Sequence, residues 1–317
     1  MKTTRIFRAI ATALLLSGSA QLLAGTAGAY NDIVAGDAPK PLDQTWPVAT
    51  DARIDVGNIS GKVEVTGWDQ AQVKLEGSLG AGSTLTVSGD AKKLSLQVKT
   101  TKSGWFGSDA PSHDSTLILH VPKNAALDVS VVSADATVAD VAGASLKVDG
   151  VSGDLTLSSA APQIDVESVS GEVALAAPDA AAAGRTHVQT VSGDIRAKNL
   201  AGRIKLETVS GEMNCACGSV HELETGTVSG DADIVVAPVN DARLNLSSMS
   251  GGIKLRLPAS LSASIDASTF SGGIRSDFGQ ARDAEHGSGS SLKTQVGNGG
   301  AQIKIDTFSG DVQLRKQ

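Results

Sequence analysis

Eight carboxylates stand at two fixed offsets from a recurring Ser-Gly pair, and a column of acids so placed could hold a cation. Three residues before each serine come Asp149, Glu167, Gln189, Glu207 and Gly226; two residues after it come Asp154, Glu172, Asp194, Glu212 and Asp231. If the strands that bear them stack about 4.8 Å apart, like charges repel and the column needs counterions or cationic neighbours. Hard oxygen ligands in a row suit calcium or magnesium. The commoner use of a carboxylate beside a bend is to accept backbone N–H groups, so no metal is assigned. A second column gathers Arg196, Lys198, Lys254, Arg256, Arg275 and Arg315 on the outward side of the strand after each pair. Such a basic face could meet an anionic polymer such as an envelope glycan, although solvated charges that discourage sheet aggregation are the commoner explanation.

Other chemistry is thinly represented. No Gly-x-Ser-x-Gly elbow, phosphate-cradling loop or His-Glu-x-x-His motif occurs, and His113, His120, His187, His221 and His286 are scattered without ligand spacing. No catalytic residue and no cofactor is therefore assigned. A lyase or glycosidase would need an acid pair, or a base beside arginine, converging in a groove from different parts of the chain. Cys215 and Cys217, the only cysteines, sit two apart in a strand-like run, with Cα atoms about 6.5 Å apart on an extended strand. Their parallel side-chain vectors strain closure, and they read as two small buried apolar residues.

The elements that must position these columns follow from the repeat itself. Ser-Gly recurs at Gly153, Gly171, Gly193, Gly211, Gly230, Gly251 and Gly272 with spacings of 18, 22, 18, 19, 21 and 21, and Gly310 closes the series after a longer gap. Alternation flanks each pair: Ile204, Leu206 and Val209 before Ser210, then Met213 and Cys215; Ile303, Ile305 and Phe308 before Ser309, then Val312 and Leu314. Period two on both sides of a glycine corner predicts two half-buried strands joined by a bend. A second corner shows at Ala142-Gly143 and Ala201-Gly202. One turn is then two short strands and two corners, and stacked turns make an all-β parallel solenoid in which each coil buries its inward residues against its neighbours. An antiparallel sandwich satisfies the alternation too, but gives no reason to repeat one corner so often.

The ends are less regular. Residues 1–29 have Lys2, Arg5 and Arg8, a short apolar run and Ala27-Gly28-Ala29, the pattern of a signal peptide cleaved after Ala29. No second apolar segment follows, so no transmembrane anchor is expected after cleavage. Residues 30–50, with Pro39, Pro41 and Pro47, read as a linker, residues 51–130 as a β-rich capping region, and residues 131–317 as the regular repeats. Loops interrupt at Thr101–Asp114, Ala176–Gly184 and Gly279–Ser291. Cleavage takes three bases from the 27 and leaves all 34 acids, a net charge of −10 that argues against nucleic acid as a partner.

The run from Ser60 to Asp69, the segment Leu117 to Pro122 and the serial Val-Ser-Gly-Asp and Val-Ser-Gly-Glu corners resemble an uncharacterised bacterial β-strand-repeat family of exported proteins, a domain of unknown function labelled "putative adhesin". The resemblance spans nearly the whole mature chain. It implies the solenoid architecture and an envelope location, and carries over no catalytic residue. The expected function is a non-enzymatic scaffold or adhesin-like binding module of the cell envelope, periplasmic in the first instance, with the surface or the medium as alternatives. A polysaccharide-acting solenoid enzyme and an envelope-stress regulatory protein are the competing readings. The partner is open between an envelope glycan and another envelope protein.

Overall fold

The computed structural model of the chain describes residues 28–29, 32–100, 114–178, 184–283 and 289–317. Most of the expected leader lies outside the described residues, as do residues 101–113 with Trp105, Phe106 and His113, 179–183, and 284–288 with His286. The described residues contain strands and turns and no helix.

Period-two burial follows from the sequence. In Gln163–Ser170, Ile164 and Val166 are buried between the outward Asp165 and Glu167; after the corner, Val173 and Leu175 are buried in Val173–Ala176. Successive coils pair in parallel and in register: Ile164 lies between Leu146 and Thr186, and Val173 between Leu155 and Ile195. The strands before the corner form one face of the stack and those after it form the other, and their inward residues make one continuous apolar core. Second corners use residues that tolerate positive φ, with Asp140, Asn199 and Asp241 at 58°, 57° and 65°.

The Ser-Gly corner is tight for two reasons that coincide. Gly171 has φ 99°, a region closed to residues with a Cβ, and a Cβ built on it would lie 2.2 Å from the carbonyl oxygen of Gly153. The same approach repeats up the stack, Gly211 on Gly193, Gly230 on Gly211, Gly251 on Gly230. The coils touch backbone to backbone there, and no side chain fits between them.

The corner also corrects the alternation at one position. Val209 does not follow Ile204 and Leu206 inward. Thr208 is buried and Val209 faces out; Ser168 with Val169, and Thr307 with Phe308, behave likewise. Strict parity turns the hydroxyl inward, and the bend gives it a carbonyl to serve: Ser168 Oγ donates to Ser170 O at 3.1 Å, Ser248 Oγ to Gly251 O at 3.0 Å, and Thr307 Oγ1 to Gly310 O at 3.2 Å. Thr190 Oγ1 is buried without a partner. Thr307→Val is therefore expected to lower stability by about 1 kcal/mol in chemical denaturation, whereas Thr190→Val is expected to be neutral or stabilising. Equal effects at the two sites would contradict the proposed role of the hydroxyls.

From Ala126 onward sequence order holds until the C-terminal end, where it breaks. Leu244–Leu246 pair with Ile303–Ile305, which pair on their other side with Ile265–Ala267. Beyond the corner Ile253 and Ile274 both pair with Val312. The final coil, residues 301–316, is thus inserted between the two coils that precede it in the chain. Ser290–Val296 then covers the outer strand Ala263–Ser271 in the antiparallel sense, protecting an edge that would otherwise recruit other chains.

At the other end, Arg53–Trp68 is already a complete coil, in register with Ala126–Val141. The region expected to cap the stack adds antiparallel strands outside it, Gln72–Leu79 against Ser115–Pro122 and Ser83–Gly89 against Lys93–Thr100. Part of the expected linker is a strand: Lys40–Pro47 pairs with Gln72–Leu79 and buries Leu42 and Trp46. Pro41 and Pro47 fit because this is an edge strand, where a missing N–H leaves no ladder bond unmade. Gly28–Ala29, at the expected cleavage point, lies against Gly89 and Ser88.

Candidate binding surfaces

The structure builds the acidic column as two rows, one on each side of the corner. The row after the corner is occupied by backbone. Asp135 accepts the N–H of Asp154 at 2.9 Å, Asp154 that of Glu172 at 2.8 Å, Asp194 that of Glu212 at 2.8 Å, Asp231 that of Gly252 at 2.7 Å, and Asp311 that of Gly273 at 2.9 Å. Each aspartate here ties its coil to the next, while the longer Glu172 leaves the ladder and meets Arg196 instead. In the row before the corner, Asp149 pairs with Lys147 and Glu207 with Lys205 at 3.1 Å, and Glu167 lies between Asp149 and Gln189. Among the described residues no three His, Cys, Asp or Glu side chains converge as a metal site.

The basic column does share one face, but as two clusters. Arg196 and Lys198 are followed by Asn214 and Ala216, then Asp233 and Val235, before Lys254 and Arg256; Gln313 and Arg315 come next, and Arg275 lies beyond Gln313. Carboxylates of the same region answer most of these charges. Asp233 takes Lys254 at 3.5 Å and Arg256 at 2.8 Å, Asp311 takes Arg275 at 3.8 Å, and Asp277 takes Arg315 at 3.2 Å.

On the opposite face, before the corner, lies a shallow concavity of about 690 Å³ that neither column outlines. Its floor is made by short or flat residues, Ser145, Pro162 and Gly184, and its rim by Arg53, Arg185 and Arg203. His187 faces it between two acids, with Nδ1 3.1 Å from Asp165 and Nε2 3.5 Å from Glu207. Glu207 first, and Asp165 after it, hold the imidazole pKa above its ordinary value against burial and the nearby Lys205. Glu207 is correspondingly held below its own. A raised histidine pKa stabilises the fold fully below the unfolded value of about 6.5, and that contribution is lost as pH rises through the folded value. The melting-temperature deficit of His187→Gln is therefore expected to be largest in mildly acidic buffer, above the range where Glu207 protonates, and to shrink as the solution becomes alkaline. A deficit independent of pH would contradict the ion-paired ring.

The corner edge carries a third surface, and it is apolar. The residue before each corner serine points outward in every coil: Ile59, Val132, Val151, Val169, Val191, Val209, Val228, Met249, Phe308 and Phe270 in stacking order. Nine strand steps make this row about 43 Å long. It ends on the stacked rings of Phe308 and Phe270, whose centroids are 4.9 Å apart and which are 57% and 70% exposed. The signal was present in the sequence, since an apolar residue holds this one phase throughout.

Cys215 and Cys217 face the core and are joined as a disulfide, with Cα atoms 5.5 Å apart. That is closer than a flat strand allows, and the pairing register shifts immediately after Ala216. The strand irregularity overrides the expectation of two separate thiols.

The family model described as Toastrack DUF4097 matches residues 52–315. No curated protein matches. Solved structures similar to the chain include a "putative adhesin" from Bacteroides fragilis, 12% identical over 87% of this chain and 97% of that one, with a TM-score of 0.42. A "putative lipid binding protein" from Parabacteroides distasonis is 13% identical over 89% and 98%, TM-score 0.33. A "putative cell adhesion protein" from Clostridium sporogenes is 9% identical over 88% and 100%, TM-score 0.20. Likeness at this level says nothing of what the present chain binds.

Proposed function

From the premise that the chain belongs to the Toastrack DUF4097 family, we propose that it is an exported, non-enzymatic binding module of the cell envelope, which presents the corner edge to another envelope protein. The observation that carries this reading is the apolar row ending on Phe308 and Phe270. Soluble proteins scatter exposed apolar side chains singly, and a continuous row of them marks an interaction surface. Its flanks support a protein partner, because each aspartate of the row beside it is tied through one oxygen to a backbone N–H, and among the described residues no three acids there converge on an ion. The expected leader and the position of its cleavage site support export to the periplasm. Co-sedimentation with isolated envelopes tests the proposal: the protein is expected to sediment, and the double variant Phe270→Ser, Phe308→Ser to stay in solution with an unchanged melting curve. Equal sedimentation of both would remove the edge from consideration.

One observation favours a second reading, a polysaccharide-acting enzyme: Asp165 and His187 line the concavity beside Arg185, and Glu207 meets the other nitrogen of the His187 ring. Release of reducing ends from anionic polysaccharides, lost on His187→Gln, would establish it. No release from any such polymer would leave the binding role alone.

A further inference from the structure

The outward face before the corner follows one rule, that a cation lies beside an acid. Lys147 meets Asp149, Lys205 meets Glu207, Lys304 meets Asp306 and Lys293 meets Asp266. Three arginines break it: Arg243, two strands further along the same row, and the neighbours Arg185 and Arg203 at the concavity. Arg185 and Arg203 are directly opposite one another on neighbouring strands, where like charges destabilise, and among the described residues neither has a carboxylate within 4 Å. Glu222 follows Arg203 on the next coil without closing an ion pair. The two unpaired guanidinium groups stand at one end of the concavity, and Arg53, held by Asp128 at 3.2 Å, stands at the other.

The register gives the distance between those ends. Arg53 pairs with Ala126, Leu127 with Leu146, Ile164 with Leu146, and Gln163 with Arg185, so four strand steps, about 19 Å, separate the two ends. Between them, in the same row, the outward positions Ala126, Ser145 and Gln163 are short or uncharged, and beside that row the concavity is lined by Lys147, which meets Asp149, and by Asp165, which meets His187. The result is a trough with two unpaired guanidinium groups at one end, Arg53 at the other, and between them hydrogen-bonding groups and charges already paired with one another.

We propose that this trough binds an extended glycan bearing carboxylate groups, with one carboxylate taken by Arg185 and Arg203 together and another by Arg53. Arginine suits the task because its planar fork meets a carboxylate through two parallel N–H bonds. The intervening hydroxyls of a sugar chain, several on every ring, match Ser145 and Gln163, whereas an acidic peptide offers that floor only its backbone amides. This site lies on a sheet face, away from the corner edge, and stands independently of the role proposed for that edge.

Titration calorimetry of the purified protein with a short oligogalacturonate at low salt tests the assignment. Binding is expected, falling steeply with added salt because the pairs are exposed. Arg185→Gln and Arg203→Gln are each expected to weaken it about tenfold, the equivalent of one charge-assisted contact. Arg196→Gln, on the other face, and the Phe270→Ser, Phe308→Ser variant are expected to leave the affinity unchanged. The methyl-esterified oligomer is expected not to bind. Absence of binding by the unmodified protein, full binding by the Arg185→Gln and Arg203→Gln variants, or binding of the ester would each overturn the proposal. Equal binding of polyglutamate would overturn the choice of glycan.

Discussion

Replacing Gly171 with valine is expected to destabilise the protein by about 3 kcal/mol or more, and to lower its melting temperature by about 5 °C or more for a chain of this size. Two costs add at that position. The backbone sits at φ 99°, where a residue with a Cβ is strained by about 1 to 2 kcal/mol. The added Cβ would also overlap the Gly153 carbonyl, 2.2 Å from its oxygen and 2.8 Å from its carbon, so neighbouring coils must part or the corner must open. Because each coil is stabilised by the coils on either side, a corner forced open also weakens its neighbours. Ala134 gives the control: it occupies the matching place in its own coil without positive φ, so Ala134→Gly is expected to change stability by no more than about 1 kcal/mol. A Gly171→Val protein that melts like the parent would show that the coils do not meet through the corner backbone.

The second large effect concerns the inserted coil. Deleting residues 301–317 removes Ile303, Ile305, Val312 and Leu314 from the core and strips a partner strand from both neighbouring coils at once. In a stack built in sequence order, loss of the last coil would expose one new edge only. Here the amides of Ala263–Ser271 and Ser290–Val296 are expected to lose hydrogen-exchange protection together, while those of Gln163–Ser170, several coils away, keep theirs. Retained protection over residues 263–271 would mean that this coil re-pairs with Leu244–Ser250, and that the inserted coil contributes little to the order of the end.

Most of the architecture was legible because one physical constraint repeats. A tight corner needs glycine, and half-buried strands need period two, so the Ser-Gly series with its flanking alternation specified a parallel stack. Three features escaped for reasons that can be named. Val209 and Phe308 look core-facing by type, and only a strict count of parity from Ile204 or Ile303 turns them outward. The insertion of residues 301–316 is invisible because all corners share one frame, and nothing in Ser309-Gly310 says which coil it will join; the long gap after Ser271 was its only trace. Trp46 falls in an expected linker because Pro41 and Pro47 signal a break, although an edge strand accepts both. For the surfaces, Arg53 and Arg203 lie 150 residues apart in sequence and come together through register alone.

The outward row before the corner serines is the centre of the functional reading, and site-specific photo-cross-linking tests it most directly. A photoreactive side chain is placed in turn at Val151, Val169 and Phe308 on the corner edge, and at Ser158 and Thr156 on the sheet face behind it. In intact cells the three corner positions are expected to capture the same partner protein, with none captured at the two face positions. Capture at Ser158 and Thr156 equal to that at the corner, or no capture from any corner position, would contradict the assignment of the edge as the binding surface.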